Sequence, residues 1–217
     1  MTTTSYEIRL CQNCGLRYPL TEGHPFGERC PSCLGETQVA LKRTILPSPQ
    51  VVEELRVRKK FSCLLDNIRS AWNVGSIFRT ADGLGIEKLY LCGITPTPKN
   101  ESVAKTALGA EEAVTWEYSN NALETANQLK ADGHTLIALE QDERATVLGD
   151  PSTSLRFAQG DKLILIVGNE VTGVDTDLLD LCDHIIHIPM RGRKRSFNVV
   201  VAFAIAAYAL LSEQAAD

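Results

Sequence analysis

Between residues 61 and 217, short continuous apolar runs alternate with stretches of helical periodicity. The runs are FSCLLD from residue 61, EKLYLCG from 87, VTWEY from 114, HTLIALE from 134, KLILIVG from 162 and HIIHIP from 184. Runs this short, rich in aliphatic residues and with little alternation, predict strands buried on both faces. Between and after them the spacing predicts helices over about 73–83, 120–131, 175–182 and 197–212. Gly85 and Gly133 follow two of these patterns and read as helix stops. Strands joined through helices need crossover connections, so the expected class is α/β, a parallel sheet with helices on both faces, over 61–217.

The first 60 residues read differently. Residues 1–38 carry Gly15, Pro19, Gly23, Pro25, Gly27, Pro31 and Gly35, a loop-rich composition that cannot build an apolar core. From 39 to 60 the text becomes VALKRTILPSPQVVEELRVRKK, which Pro47 and Pro49 interrupt and which ends in a basic cluster. This stretch is expected to be a basic linker with a short helix over 50–58. The expected organisation is thus a small module over 1–38, the linker over 39–60, and the α/β domain over 61–217.

Composition narrows the function classes. At 44% hydrophobic the chain has ample material for a core, yet it holds no uninterrupted apolar stretch of the ~18–20 residues a spanning helix needs. The start MTTTSYEIRL lacks the apolar run of a secretory signal, so no membrane association is expected and the cytoplasm is the expected location. The net charge of −5 is unevenly spread. Residues 1–60 hold 9 Lys+Arg against 6 Asp+Glu, and the remainder holds 13 against 21. A basic end on an acidic body suits RNA contact through local patches.

Of 7 cysteines, four form two pairs, Cys11-x2-Cys14 and Cys30-x2-Cys33, separated by 15 residues. That spacing matches a four-thiolate zinc site, whose ion would supply the folding energy that burial cannot. Two disulfides are the rival pairing, favoured only in an oxidising compartment. His24 could substitute for one ligand, although four thiolates already complete a tetrahedral shell. Cys63, Cys92 and Cys182 lie in or beside apolar runs and read as small buried hydrophobes.

Three segments carry candidate chemistry. In LDNIRSAWNVGSIFRTADGLG, residues 65–85, a strand end leads into Asn73, Gly75, Ser76, Arg79 and Thr80. Asn73 and Arg79 stand about 120° apart on a helix, so both address one site only if Asn73 acts from the cap. In LILIVGNEVTGVD, residues 163–175, a buried strand enters a Gly-rich turn bearing Glu170. Gly168 and Gly173 have P-loop spacing, but Val174 and Asp175 stand where Lys and Ser or Thr are needed, which excludes that phosphate cradle. No G-x-G-x-x-G follows any strand, which weighs against dinucleotide binding. The third segment, residues 184–211, places Arg191, Arg193, Lys194 and Arg195 beside a strand end, suiting a phosphodiester partner. Ser196, Phe197 and Asn198 then open a helix too uniformly apolar for one half-buried face, so part of it should meet a partner subunit or the deep core.

In this order, N-x-G-S-x-x-R-T-A, G-N-E-x-x-G-V and I-P-M-x-G-x-x-x-S-F-N-V resemble the signature motifs of SpoU/TrmH-type RNA methyltransferases of the SPOUT superfamily, over about 61–217. Phe197 stands where Leu is usual and Val200 where a small hydroxyl residue is common; the zinc-ribbon-like module lies outside the resemblance. The resemblance implies a C-terminal trefoil knot and a homodimer with the site near its interface. It implies S-adenosylmethionine bound by the segment after Leu139, by Gly168, and by Ile188 to Phe197, including Met190 and Ser196. It further implies ribose 2'-O-methylation of tRNA or rRNA, with Arg79, Asn73, Glu170, Ser196 and Asn198 as functional residues. Family proposals make the arginine a base, but a guanidinium stays protonated, so gripping the target phosphate is its better role. A non-catalytic RNA-binding or assembly protein on the same fold is the alternative. A class I methyltransferase or NAD enzyme is disfavoured by the missing glycine fingerprint.

Overall fold

A computed structural model describes residues 4–21, 24, 28–45, 60–150 and 160–213. The chain divides into two compact units, residues 1–56 and 57–217. The helix expected over 50–58 lies outside the described residues.

The N-terminal unit is a three-stranded antiparallel sheet of order β2-β1-β3, formed by β1 (Thr4–Cys11), β2 (Arg17–Thr21) and β3 (Thr37–Ile45). Sequence reading expected loops here and began the linker at 39, whereas residues 39–45 belong to β3 and pair with β1. The strands escaped notice because β2 and β3 are largely exposed and β1 mostly half-buried, so no apolar run marks them. Within the sheet Arg9 is buried, donating to Glu7 at 2.8 Å and to the Thr37 hydroxyl at 2.8 Å.

The C-terminal unit is a seven-stranded sheet of order β6-β5-β4-β9-β7-β10-β8, parallel throughout. Its strands are β4 (Phe61–Asp66), β5 (Lys88–Cys92), β6 (Thr115–Ser119), β7 (His134–Leu139), β8 (Thr146–Val147), β9 (Lys162–Val167) and β10 (His184–His187). The period-2 alternation of strands splits the core in two. Cys63 and Leu65, Ile137, and Leu163 and Leu165 face one cluster with α1 (Ala71–Leu84), α2 (Glu101–Ala107), α3 (Ala110–Ala113) and α6 (Val199–Glu213). Leu64, Leu136 and Ala138, and Ile164 and Ile166 face the other with α4 (Ala122–Ala131) and α5 (Thr176–Leu181). β4 and β9 lie mid-sheet, which explains why their runs are apolar on both faces. Cys63 and Cys92 are fully buried and Cys182 partly so; burial pushes the Cys92 thiol up to about 12.

Local chemistry sets the helix ends. Ser70 caps α1, its hydroxyl accepting from the Asn73 amide at 3.3 Å, so the helix starts two residues earlier than expected and Asn73 sits in its first turn rather than at the cap. Gly85 ends the helix in the left-handed conformation that glycine adopts without strain. Gly75 has a packing reason: a Cβ there would overlap the Thr106 hydroxyl and the Val103 carbonyl of α2. Neither α2 nor α3 was anticipated, because Leu108 and Gly109, both left-handed, break one apolar pattern into two short turns. Among the described residues, no helix is long and apolar enough to cross a membrane.

Candidate functional site

Each unit carries a site. In the N-terminal unit the sulfurs of Cys11, Cys14, Cys30 and Cys33 lie within 4.8 Å of one another. Each pair sits on a tight turn, where Gly15 donates to the Cys11 carbonyl at 3.1 Å and Leu34 to the Cys30 carbonyl at 2.9 Å. Gly15 and Leu34, just past the pairs, both have positive φ, 74° and 58°, which turns each pair inward. Cys11 and Cys33 are 3.5 Å apart and Cys14 and Cys30 3.6 Å, too far for disulfides, and all four are free thiols. Tetrahedral bonding at about 2.3 Å per sulfur puts the sulfurs about 3.8 Å apart, so the cluster fits a zinc ion. The Gly35 amide and the Asn13 side chain draw the Cys33 thiol down to about 6, toward the thiolate a metal needs. At Cys14 the Leu16 amide pulls down, but hydrogen bonds with Cys33 and Cys11 push the thiol up to about 12, and the proton they retain is one a bound metal would displace.

In the C-terminal unit the loops leaving β7, β9 and β10 enclose a cavity of about 320 Å³. This is the carboxyl end of a parallel sheet, where ligands of open α/β folds bind. Its wall includes Leu139, Gly168, Ile188, Met190, Ser196 and Phe197, the six positions expected to hold a cofactor. Gly168 packs so closely on Gly173 and Val174 that a Cβ has no room, which leaves backbone at the wall.

Glu170 and Asn198 also line the cavity, and Asn73 joins them at its edge. The Glu170 carboxylate accepts from the Arg69 amide at 2.9 Å, the Ser70 amide at 3.1 Å and the Asn73 side chain at 2.8 Å. Asn198 donates to Asn73 at 3.3 Å and accepts the Val200 amide at 2.9 Å, capping the start of α6. Partial burial pushes the Glu170 carboxyl up, but the bonds from Arg69, Asn73 and Ser70 outweigh it and hold its pKa below the ordinary value. One side chain from each of the three sequence segments is thereby linked in a chain, Glu170 to Asn73 to Asn198.

Arg79 is placed elsewhere. It is exposed on α1, lies outside the cavity wall, and has no hydrogen-bond or ion-pair partner among the described residues. Arg191, Arg193, Lys194 and Arg195 are exposed on the loop between β10 and α6. That loop is tethered where the Gln141 side chain donates to the Arg195 carbonyl.

Three residues that sequence reading passed over hold the loops in place. Buried Asp66 accepts from the Asp175 amide at 3.2 Å and from Asn67 at 2.7 Å, and desolvation raises its pKa. Asn169 donates to the Asn67 carbonyl at 2.8 Å and accepts the Val171 amide at 2.9 Å. Glu140 accepts the Val174 amide at 2.9 Å. Asp66 and Glu140 end apolar runs, and a carboxylate at a parallel strand's carboxyl end is the signal that would have found them.

The SpoU rRNA Methylase family profile matches residues 60–208. The 23S rRNA (guanosine(2553)-2'-O)-methyltransferase RlmP of Bacillus subtilis (strain 168) is 30% identical over 158 residues, 73% of this chain and 60% of the relative. The chain spans 55% to 60% of the length of the curated relatives it matches first. The TrmH/SpoU tRNA modifying enzyme of A. aeolicus superimposes with a TM-score of 0.63 at 25% identity, over 75% of this chain and 82% of that one. The SpoU methyltransferase AviRb from Streptomyces viridochromogenes, solved in complex with AdoMet, shares the fold with a TM-score of 0.62 at 21% identity, over 84% of this chain and 70% of AviRb. Since the matched span takes in the parallel sheet and every loop that walls the cavity, this chain belongs to the SpoU rRNA Methylase family.

Proposed function

We propose that this chain is an S-adenosylmethionine-dependent methyltransferase that modifies a ribose 2'-hydroxyl in tRNA or rRNA, acting in the cytoplasm as a homodimer. The observation that carries this reading is the cavity, where three segments distant in sequence converge and Glu170, Asn73 and Asn198 bond in series. Its wall of apolar side chains with a few polar groups, bare backbone at Gly168 and volume suit an adenosyl group, and the AdoMet complex of AviRb supports the same ligand. RlmP supports the ribose as the acceptor. We further propose that the C-terminal third threads through a loop to make the trefoil knot that the family implies.

S-adenosylmethionine supplies an electrophilic methyl group on a sulfonium. The chain's own part is to bring a ribose hydroxyl in line with it while keeping the approach free of competing water. The partner-free guanidinium of Arg79, exposed on α1 outside the cavity wall, grips a phosphate of the RNA and so holds the ribose for transfer. The proton passes to water. Glu170 fixes the loop before α1, Asn198 fixes the start of α6, and Ser196, in the cavity wall, would offer its hydroxyl to the substrate. The basic loop 191–195 holds flanking phosphates.

The dimer reading rests on a strip along α6, where Val201 (45% exposed), Ile205 (39%) and Tyr208 (66%) stand at i, i+4 and i+7. Such a strip suits a second copy better than water. Incubating the purified protein with unmodified bulk RNA and methyl-labelled S-adenosylmethionine separates catalysis from the non-catalytic alternative. Label in RNA is expected; RNA binding without label transfer would favour the assembly role.

A further inference from the structure

The cavity wall contains two carboxylates, Glu140 and Glu170, and they are occupied differently. Glu170 accepts three motif-one donors, Arg69 on Oε2 and Ser70 with Asn73 on Oε1, which ties it to the start of α1. Glu140, at the carboxyl end of β7, accepts one backbone amide on each oxygen: Gln141 on Oε1 at 2.8 Å and Val174 on Oε2 at 2.9 Å. A carboxylate has about four lone-pair sites, so one acceptor site on each oxygen is left.

The group is also held rigidly. Gly173, with φ 74°, approaches Oε2 so closely that a Cβ there would overlap the carboxylate, and the Val174 amide beside it completes the clamp. A fixed pair of coplanar acceptors, in a wall that also carries Leu139, Val167, Ile188 and Phe197, fits two adjacent hydroxyl donors. It fits the sulfonium poorly, because a carboxylate at the sulfur would stabilise a cation whose charge disappears as the methyl leaves, and so oppose transfer.

We infer that Glu140 binds the vicinal diol of the cofactor's ribose, accepting from its 2'- and 3'-hydroxyls while anchoring the 168–174 turn. This rests on the methyltransferase reading above. The test is calorimetric titration of the full chain and of Glu140→Gln with S-adenosylhomocysteine and with its 2',3'-dideoxy analogue. The wild type is expected to bind the dideoxy compound about 10–100-fold more weakly than the parent, the range for hydrogen bonds to a charged group. Glu140→Gln is expected to lose a similar factor for the parent and to discriminate between the two ligands less than about threefold. Glu140→Ala runs in parallel, since the glutamine amide could oppose the Val174 N–H and unseat the turn. Equal affinity of the wild type for both ligands, or full discrimination retained by either variant, overturns the role of Glu140 alone. Failure of the wild type to bind S-adenosylhomocysteine overturns the methyltransferase reading as well.

Discussion

Among the described residues of the N-terminal unit, the buried side chains are Arg9, Cys11 and Cys30, whereas the C-terminal unit buries Phe61, Phe78, Phe203 and a continuous set of Leu, Ile and Val on both faces of its sheet. Two of the three buried groups in the first unit are thiols of the four-cysteine cluster. Its antiparallel sheet closes through backbone bonds and the ion pairs of Arg9 with Glu7 and Glu28 and of Lys42 with Glu7, so a metal on the four cysteines would supply much of its stability. The second unit follows apolar burial and can afford a cavity at its strand ends. Order that a bound ion would impose and order imposed by a core thus meet in one chain, and each should respond to a different perturbation.

The largest expected effect comes from the metal. Chelation, or Cys30→Ser, removes a contribution of about 10–16 kcal/mol, and amide exchange in β1 to β3 should become fast while β4, β7 and β9 keep their protection. Loss in both units, or an N-terminal sheet that stays protected without metal, would break the comparison. Arg79→Ala should lower methyl transfer by about 10²–10³-fold with cofactor affinity within about twofold, read by single-turnover assay and calorimetry. Equal loss of both would refute the division between a phosphate grip and a cofactor cavity. Leu165→Ala, at a fully buried position of β9, should cost about 2–5 kcal/mol in denaturant unfolding of the C-terminal unit and leave metal content unchanged.

Ile205→Arg should shift the sedimenting species from dimer to monomer without loss of C-terminal helicity; an unchanged mass would remove the α6 strip from the dimer reading. The smallest effect concerns pH. Hydrogen bonding holds the Glu170 pKa below its unfolded value, so its contribution is complete above the ordinary glutamate range and fades as pH falls through the lowered folded value. The melting temperatures of wild type and Glu170→Gln should therefore differ at pH 7 and converge on acidification. A gap that widens toward acid would reverse the sign.

Much of the C-terminal sheet was legible because FSCLLD and KLILIVG are uninterrupted apolar runs that only doubly covered strands require. β8, two residues long, and α2 with α3, split by two left-handed residues, leave no periodic trace. The site was legible where motif residues line the cavity. Where loops are clasped by carboxylate-to-amide bonds, across 34 residues for Glu140 and 109 for Asp66, the carboxylate ending an apolar run was a readable signal, but the backbone donor it reaches carries no residue-specific one. The 120° offset between Asn73 and Arg79 was readable in the sequence, and the structure keeps it, with Asn73 at the cavity edge and Arg79 exposed outside its wall.

The most direct test of the central claim is nucleoside mass spectrometry of unmodified tRNA and rRNA after incubation with the purified protein and S-adenosylmethionine carrying a deuterated methyl group. The account predicts a labelled nucleoside whose added mass stays with the ribose fragment and is absent when Arg79→Ala replaces the wild type. Label on the base fragment, or no labelled nucleoside from either RNA pool, would contradict it.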